Sequence, residues 1–189
     1  MGAGMRSQNM EKQKKRAVHS AKECAFLAVF VALVIAVQLC FAAIPGVELV
    51  TVLFLAYAYV MGAKRGMLAA TVFTLLRQFL FGFNPVVFCL YIVYFNVFAL
   101  LFGTLGRKWK NSVRALPYLV VFACICTACF TLLDNLLTPL WYAFSKRAFK
   151  VYFLSSLSVM LPQVLCTAIS VFILFIPLQK VFLQAKRSL

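Results

Sequence analysis

Long apolar runs alternate along this chain with short basic clusters, and few folds accept that pattern. An apolar run of about 20 residues, wound as an α-helix, satisfies its own backbone hydrogen bonds and matches ~30 Å of hydrocarbon. The basic residues gather beside those runs, at Arg6–Lys22, Lys64–Arg65, Arg107–Arg114 and Lys180–Arg187. Charged residues make up only 12% of the 189, and 65% are hydrophobic. That is too little charge to cover a water-facing surface. Period-2 alternation bounded by turns is absent, which argues against an outer-membrane barrel. The pattern predicts an all-α integral membrane protein in contact with the lipid bilayer.

Six transmembrane helices are expected. The first covers Cys24 to Ile44 and ends at Pro45-Gly46; the second covers Leu49 to Gly62. A tight basic turn, Ala63-Lys64-Arg65-Gly66, leads to the third, Met67 to Phe81. The fourth runs from Val86 to Gly106, the fifth from Leu116 to Leu137 and the sixth from Tyr152 to Phe182. A longer connection carrying Pro139, Trp141 and Lys146-Arg147 joins the last two, and Pro162 and Pro177 are expected kinks. Helices two and three are short. Residues 1–22 read as a basic cytoplasmic tail and 23–189 as a single six-helix domain. The N-terminal apolar run is too long for a signal-peptide core, so it reads as an uncleaved helix.

Orientation follows from the basic residues. With the N-terminus inside, 15 of the 19 Lys and Arg fall on inner segments and only Arg77, Lys146, Arg147 and Lys150 on the outer side. The positive-inside bias therefore predicts both termini in the cytoplasm. The net charge of +15 does not imply nucleic acid, because no basic face is interleaved with groove-reading side chains.

Depth sorts the polar residues. Counted from the nearest inner basic anchor at ~1.5 Å per residue, Asn96 lies about 16 Å up and Arg77 about 18 Å. On the same count Gln38, Glu48 and Tyr91 lie about 24 Å up, Gln163 about 25 Å and Asp134 about 30 Å. The inner halves of the helices are almost purely apolar. Glu48 and Arg77 are close enough in depth to form an ion pair locking helices two and three, or to contact a solute in a cavity open to the outside. A channel or proton relay would carry polar residues through both halves. Phe79, Phe81, Phe83, Tyr91, Tyr94, Trp141 and Tyr142 frame the same level, as an interfacial belt or as stacking surfaces. The candidate substrate-binding set is Gln38, Glu48, Thr51, Arg77, Gln78, Asn84, Tyr91, Asn96, Asp134, Asn135, Trp141 and Gln163.

Catalytic and metal constellations are not evident. Cys124, Cys126 and Cys129 form CICTAC, but the lone His19 is far away in the tail, so the seven cysteines read as small apolar residues at helix contacts. No cofactor is expected, and any ATP hydrolysis would belong to partner subunits. The first helix repeats small residues at four-residue spacing, Ala21 and Ala25, then Ala28, Ala32 and Ala36. Each series lets another helix approach closely, inside the bundle or from another protein.

The stretch IPGVELVTVLFLAYAYVMGAKRGMLAATVFTLLRQFLFG has the order loop, short helix, basic-glycine turn, third helix. Together with the size, the basic tail and the alanine spacing, it resembles the substrate-binding S component of an energy-coupling factor (ECF) vitamin transporter. The resemblance implies a high-affinity subunit that takes a vitamin or related micronutrient from outside; IPGVELVT is similar to cobalamin-type and uncharacterised members. It further implies docking through Ala25, Ala28 and Ala32 onto a transmembrane coupling protein driven by two ATPase subunits. The segments Pro45–Glu48 and Asp134–Tyr142 would gate the site, and Lys64-Arg65 would face the cytoplasm. The alternative is a non-transporting membrane scaffold of the cell-wall or rod-shape machinery, which needs no solute.

Overall fold

The computed structural model describes residues 2–44, 46–109 and 111–189, with side chains from residue 21 onward. Pro45, expected to end the first span, and Lys110 of the basic loop lie outside the described residues, as do the side chains of the tail through Ser20. The described residues form six α-helices: α1 Gly2–Phe41, α2 Val50–Met61, α3 Ala63–Phe81, α4 Pro85–Lys108, α5 Ser112–Trp141 and α6 Lys146–Ser188. Four segments are long and apolar enough to cross a membrane: Ala21–Phe41, Pro85–Lys108, Ser112–Trp141 and Lys146–Ser188. The chain is thus an all-helical membrane protein.

The two remaining helices explain the bundle. α2, VTVLFLAYAYVM, is apolar on every side and buried at every residue. A helix without a polar face belongs in an interior, and α2 packs against all five others. Its 12 residues span only about 18 Å at ~1.5 Å per residue. α3 has 19 residues but carries Lys64, Arg65 and Arg77.

Small residues allow α2, α3 and α4 to meet closely. A methyl on Gly66 would lie 3.1 Å from the β-carbons of both Ala58 and Ala99, and one on Gly103 only 2.4 Å from the Ala63 nitrogen. The reversal between α2 and α3 needs a single residue, Gly62, whose φ of 91° suits glycine. The expected basic turn Ala63–Gly66 is therefore not a turn; it is the first turn of α3. The expected long connection before the last helix is also absent. Pro139 and Trp141 lie in α5, Lys146-Arg147 open α6, and only Tyr142–Ser145 lie between. Nor does the tail break from the first span, since α1 is continuous from Gly2. Pro162 and Pro177 both sit inside α6.

Several basic residues gather at one end of the bundle. Arg65 pairs with Glu23 of α1, and the Tyr59 hydroxyl donates to the Trp109 carbonyl after α4. The Lys186 ammonium donates to the Val60 carbonyl, joining α6 to α2, and the Gln179 amide donates to Ser112 Oγ at the start of α5. Just inside this end, Phe30 stacks on Tyr57 at 3.9 Å and Phe182 meets both edge-on. The opposite end holds a cavity.

Candidate functional site

All six helices contribute to this cavity, which encloses about 310 Å³. α1 supplies Val37, Gln38 and Phe41 from its last turns; the α1–α2 loop lies across it with Gly46, Val47 and Glu48. α3 supplies Arg77 and Phe81, and α4 supplies Tyr91, Tyr94 and Phe95 from one face at i, i+3, i+4 spacing. Thr127 and Phe130 of α5, with Val159 and Gln163 of α6, close the far side.

The α1–α2 loop is pinned to α6. Gly46 has φ +83° and so little room that a methyl there would lie 2.7 Å from Pro162 Cβ. The Glu48 backbone N–H donates to Cys166 Sγ at 3.4 Å, and that thiol donates back to the Glu48 carbonyl at 3.5 Å. Both carboxylate oxygens of Glu48 are engaged: Oε1 accepts from Thr51 Oγ1 and Oε2 from Gln163 Nε2, each at 2.8 Å. Gln163 Oε1 in turn accepts from Thr131 Oγ1 at 3.0 Å. Glu48 thus closes a polar chain through the loop, α2, α6 and α5.

Arg77 is held differently. Its guanidinium lies 4.1 Å from the Tyr91 ring centroid and 4.8 Å from that of Phe81. Its Nε is buried without a hydrogen-bond partner, and no carboxylate among the described residues lies within ion-pair distance of it. The Glu48–Arg77 ion pair allowed by the sequence is therefore not formed. Helical depth placed both groups at similar heights, but Thr51 and Gln163 reach the carboxylate first. Across the pocket, the Gln38 amide oxygen is also buried without a partner.

Five of the twelve candidate residues line the cavity: Gln38, Glu48, Arg77, Tyr91 and Gln163. Thr51 lies behind it, orienting Glu48. Asn84 caps α4, its side-chain oxygen accepting from the Val86 and Val87 N–H groups at 3.1 and 3.3 Å, ahead of Pro85 at the first helical position. Gln78 accepts from the Asn84 N–H at 3.4 Å, so both residues build the α3–α4 corner. Asn96 ties α4 to α3, its amide donating to Thr71 Oγ1 and the Ile92 carbonyl. Asp134 accepts from Thr138 one turn on, Asn135 is buried away from the cavity, and Trp141 is exposed.

The set drawn from the sequence omitted Phe95, Thr127, Phe130 and Val159 and used Tyr94 only as part of an aromatic frame. The i, i+3, i+4 spacing of Tyr91, Tyr94 and Phe95 was a usable signal; nothing in the sequence marks Val159. Among the cysteines, Cys166 and Cys124 sit at contacts involving α6, Cys124 donating to the Val164 carbonyl at 3.8 Å. Cys24, Cys40, Cys89 and Cys129 are exposed instead. The alanine series of α1 faces away from the bundle: Ala21, Ala25, Ala28, Ala32 and Ala36 are all exposed, while Phe30, Val31, Val34 and Ile35 are buried. No protein-family model, curated protein or solved structure matches this chain.

Proposed function

We propose that this chain captures a small solute from the outer face of a bacterial plasma membrane, as the S component of an ECF-type vitamin importer. In this reading the basic end is cytoplasmic, both termini are inside and the chain makes six passes. α2 and α3 are the short ones, with α2 shielded from lipid by its neighbours. The carrying observation is the polar and aromatic cavity at the end of the bundle opposite the basic residues. A scaffold has no need of a buried guanidinium beside an open volume. The outward alanine face of α1 is the docking surface for a coupling protein, and the ATPase subunits that drive release sit beyond it. A volume of about 310 Å³ falls at the lower end of the ~300–1,000 Å³ common for ligand sites. It favours a compact vitamin over a corrin macrocycle.

The test is binding without ATP. Purified protein in detergent, screened by thermal shift against a vitamin panel, should be stabilised by one compound or a related few. Stabilisation should grow with concentration, reaching about 2.7 kcal/mol at a hundred times Kd. A folded protein that no member of the panel stabilises would remove the transport reading and leave the scaffold.

A further inference from the structure

The two charged groups of the cavity are not equivalent, and the difference says what kind of solute fits. This argument rests on the capture reading above. Glu48 is already satisfied, one oxygen by Thr51 and the other by Gln163. It has little left to offer a cationic ligand. Arg77 is in the reverse state. Two aromatic rings hold it in place, but it makes no hydrogen bond or ion pair with any described residue, and its Nε is cut off from water.

An arginine at membrane depth is costly to leave without partners. Cation–π contacts offset part of that cost. They leave the planar fork of N–H donors unused. Such a fork matches a carboxylate or a phosphate, either of which accepts two parallel hydrogen bonds. Charge elsewhere at this end agrees. Lys146, Arg147 and Lys150 are exposed there at the start of α6. The carboxylates present are Glu48 and Asp134, and Thr138 donates to Asp134. Positive charge at this end attracts anions at long range and repels cations.

We infer that the cavity selects a small monocarboxylate, its carboxylate gripped by Arg77 and a polar hydrogen of its body received by the Gln38 amide. Tyr91, Tyr94 and Phe130 supply the apolar and stacking surface for the remainder. One guanidinium balances one negative charge. A phosphate ester, carrying close to two at pH 7, would leave the second uncompensated.

Matched pairs differing only in charge test this. Wild-type protein is titrated with nicotinate and nicotinamide, pantothenate and panthenol, biotin and biotin amide, and with pyridoxal phosphate and thiamine as dianionic and cationic probes. The expected result is that tight binding occurs only among the acids, with the acid of the bound pair at least tenfold tighter than its neutral partner. Arg77→Gln should weaken that acid about 10- to 100-fold, as loss of a charged hydrogen-bond pair does. It should leave the weak binding of the neutral partner within a few-fold, and Arg77→Lys should recover part of the loss. Tight binding of thiamine, pyridoxal phosphate or a neutral partner, with no preference for acids, overturns the carboxylate assignment and leaves solute capture standing. Binding of no probe at all, by protein that melts cooperatively, overturns both. Because the pairs are compared on wild-type protein, the result does not depend on the variants folding.

Discussion

At the basic end α4 approaches the α2–α3 reversal so closely that a methyl on Gly106 would lie 2.2 Å from the Tyr59 carbonyl oxygen. At the other end the same helices part around about 310 Å³. The basic end is closed by small residues and by side chains that cap neighbouring backbones. The pocket end is closed by one loop, pinned through Glu48 and Gly46 onto α6. Backbone packing against glycine has few alternative arrangements. A loop held by side-chain hydrogen bonds has more, because each bond can be exchanged for water or ligand at a net cost near 1 kcal/mol. Opening at the pocket end is therefore the cheaper motion, as the proposed capture of a solute requires.

The largest expected effect tests the closed end. Gly106→Ala forces a methyl into main-chain atoms of α2 that cannot rotate away, and should cost ~3 kcal/mol or more. Gly82→Ala, at φ +85° with open space around it, should cost only ~1 kcal/mol. Melting temperatures in detergent should rank the two in that order; equal losses would break the contrast between packed and open ends. Next comes the loop. Glu48→Gln keeps the shape but removes the charge that Thr51 and Gln163 both address, and should destabilise by about 1.5–3 kcal/mol. Protease sensitivity of the α1–α2 loop should rise, while the basic end stays protected. Equal exposure of both ends would mean that the loop is not an independent element. The smallest effect on stability should come from Ala28→Trp, within about 0.5 kcal/mol, because Ala28 is exposed. On the proposed docking face, the same change should abolish co-purification with a coupling protein and leave solute binding intact. Loss of binding with association retained would place the solute on α1's outer face instead.

How much of this could be read from the chain differs by residue. The shortness of α2 was legible, because Pro45-Gly46 and Gly62 bracket a short run in which no charged residue follows Glu48. Its place at the centre was not, since an apolar run looks the same facing lipid or protein. Depth counting brought Glu48, Arg77, Tyr91 and Gln163 to within about 7 Å of one another in height, and they do share the cavity. It gave height without azimuth, and so it included Asn96, which points between α3 and α4 at Thr71; Trp141, drawn from the aromatic frame, is exposed. Asn84 carried a legible cap signature, the asparagine-proline pair at a helix start, but its polarity at the right depth made it resemble a ligand contact.

By itself, then, the sequence determined the helical membrane class, the gathering of Lys and Arg at alternate helix ends, and the level at which polar groups appear. Those properties depend on hydropathy and on a fixed rise per residue, which act along one chain in one dimension. Only the tertiary structure decided which polar groups face one another. Partner choice depends on rotation about each helix axis and on competition among neighbours within hydrogen-bond reach. That competition satisfies Glu48 through Thr51 and Gln163 and leaves Arg77 between two rings with its donors unspent.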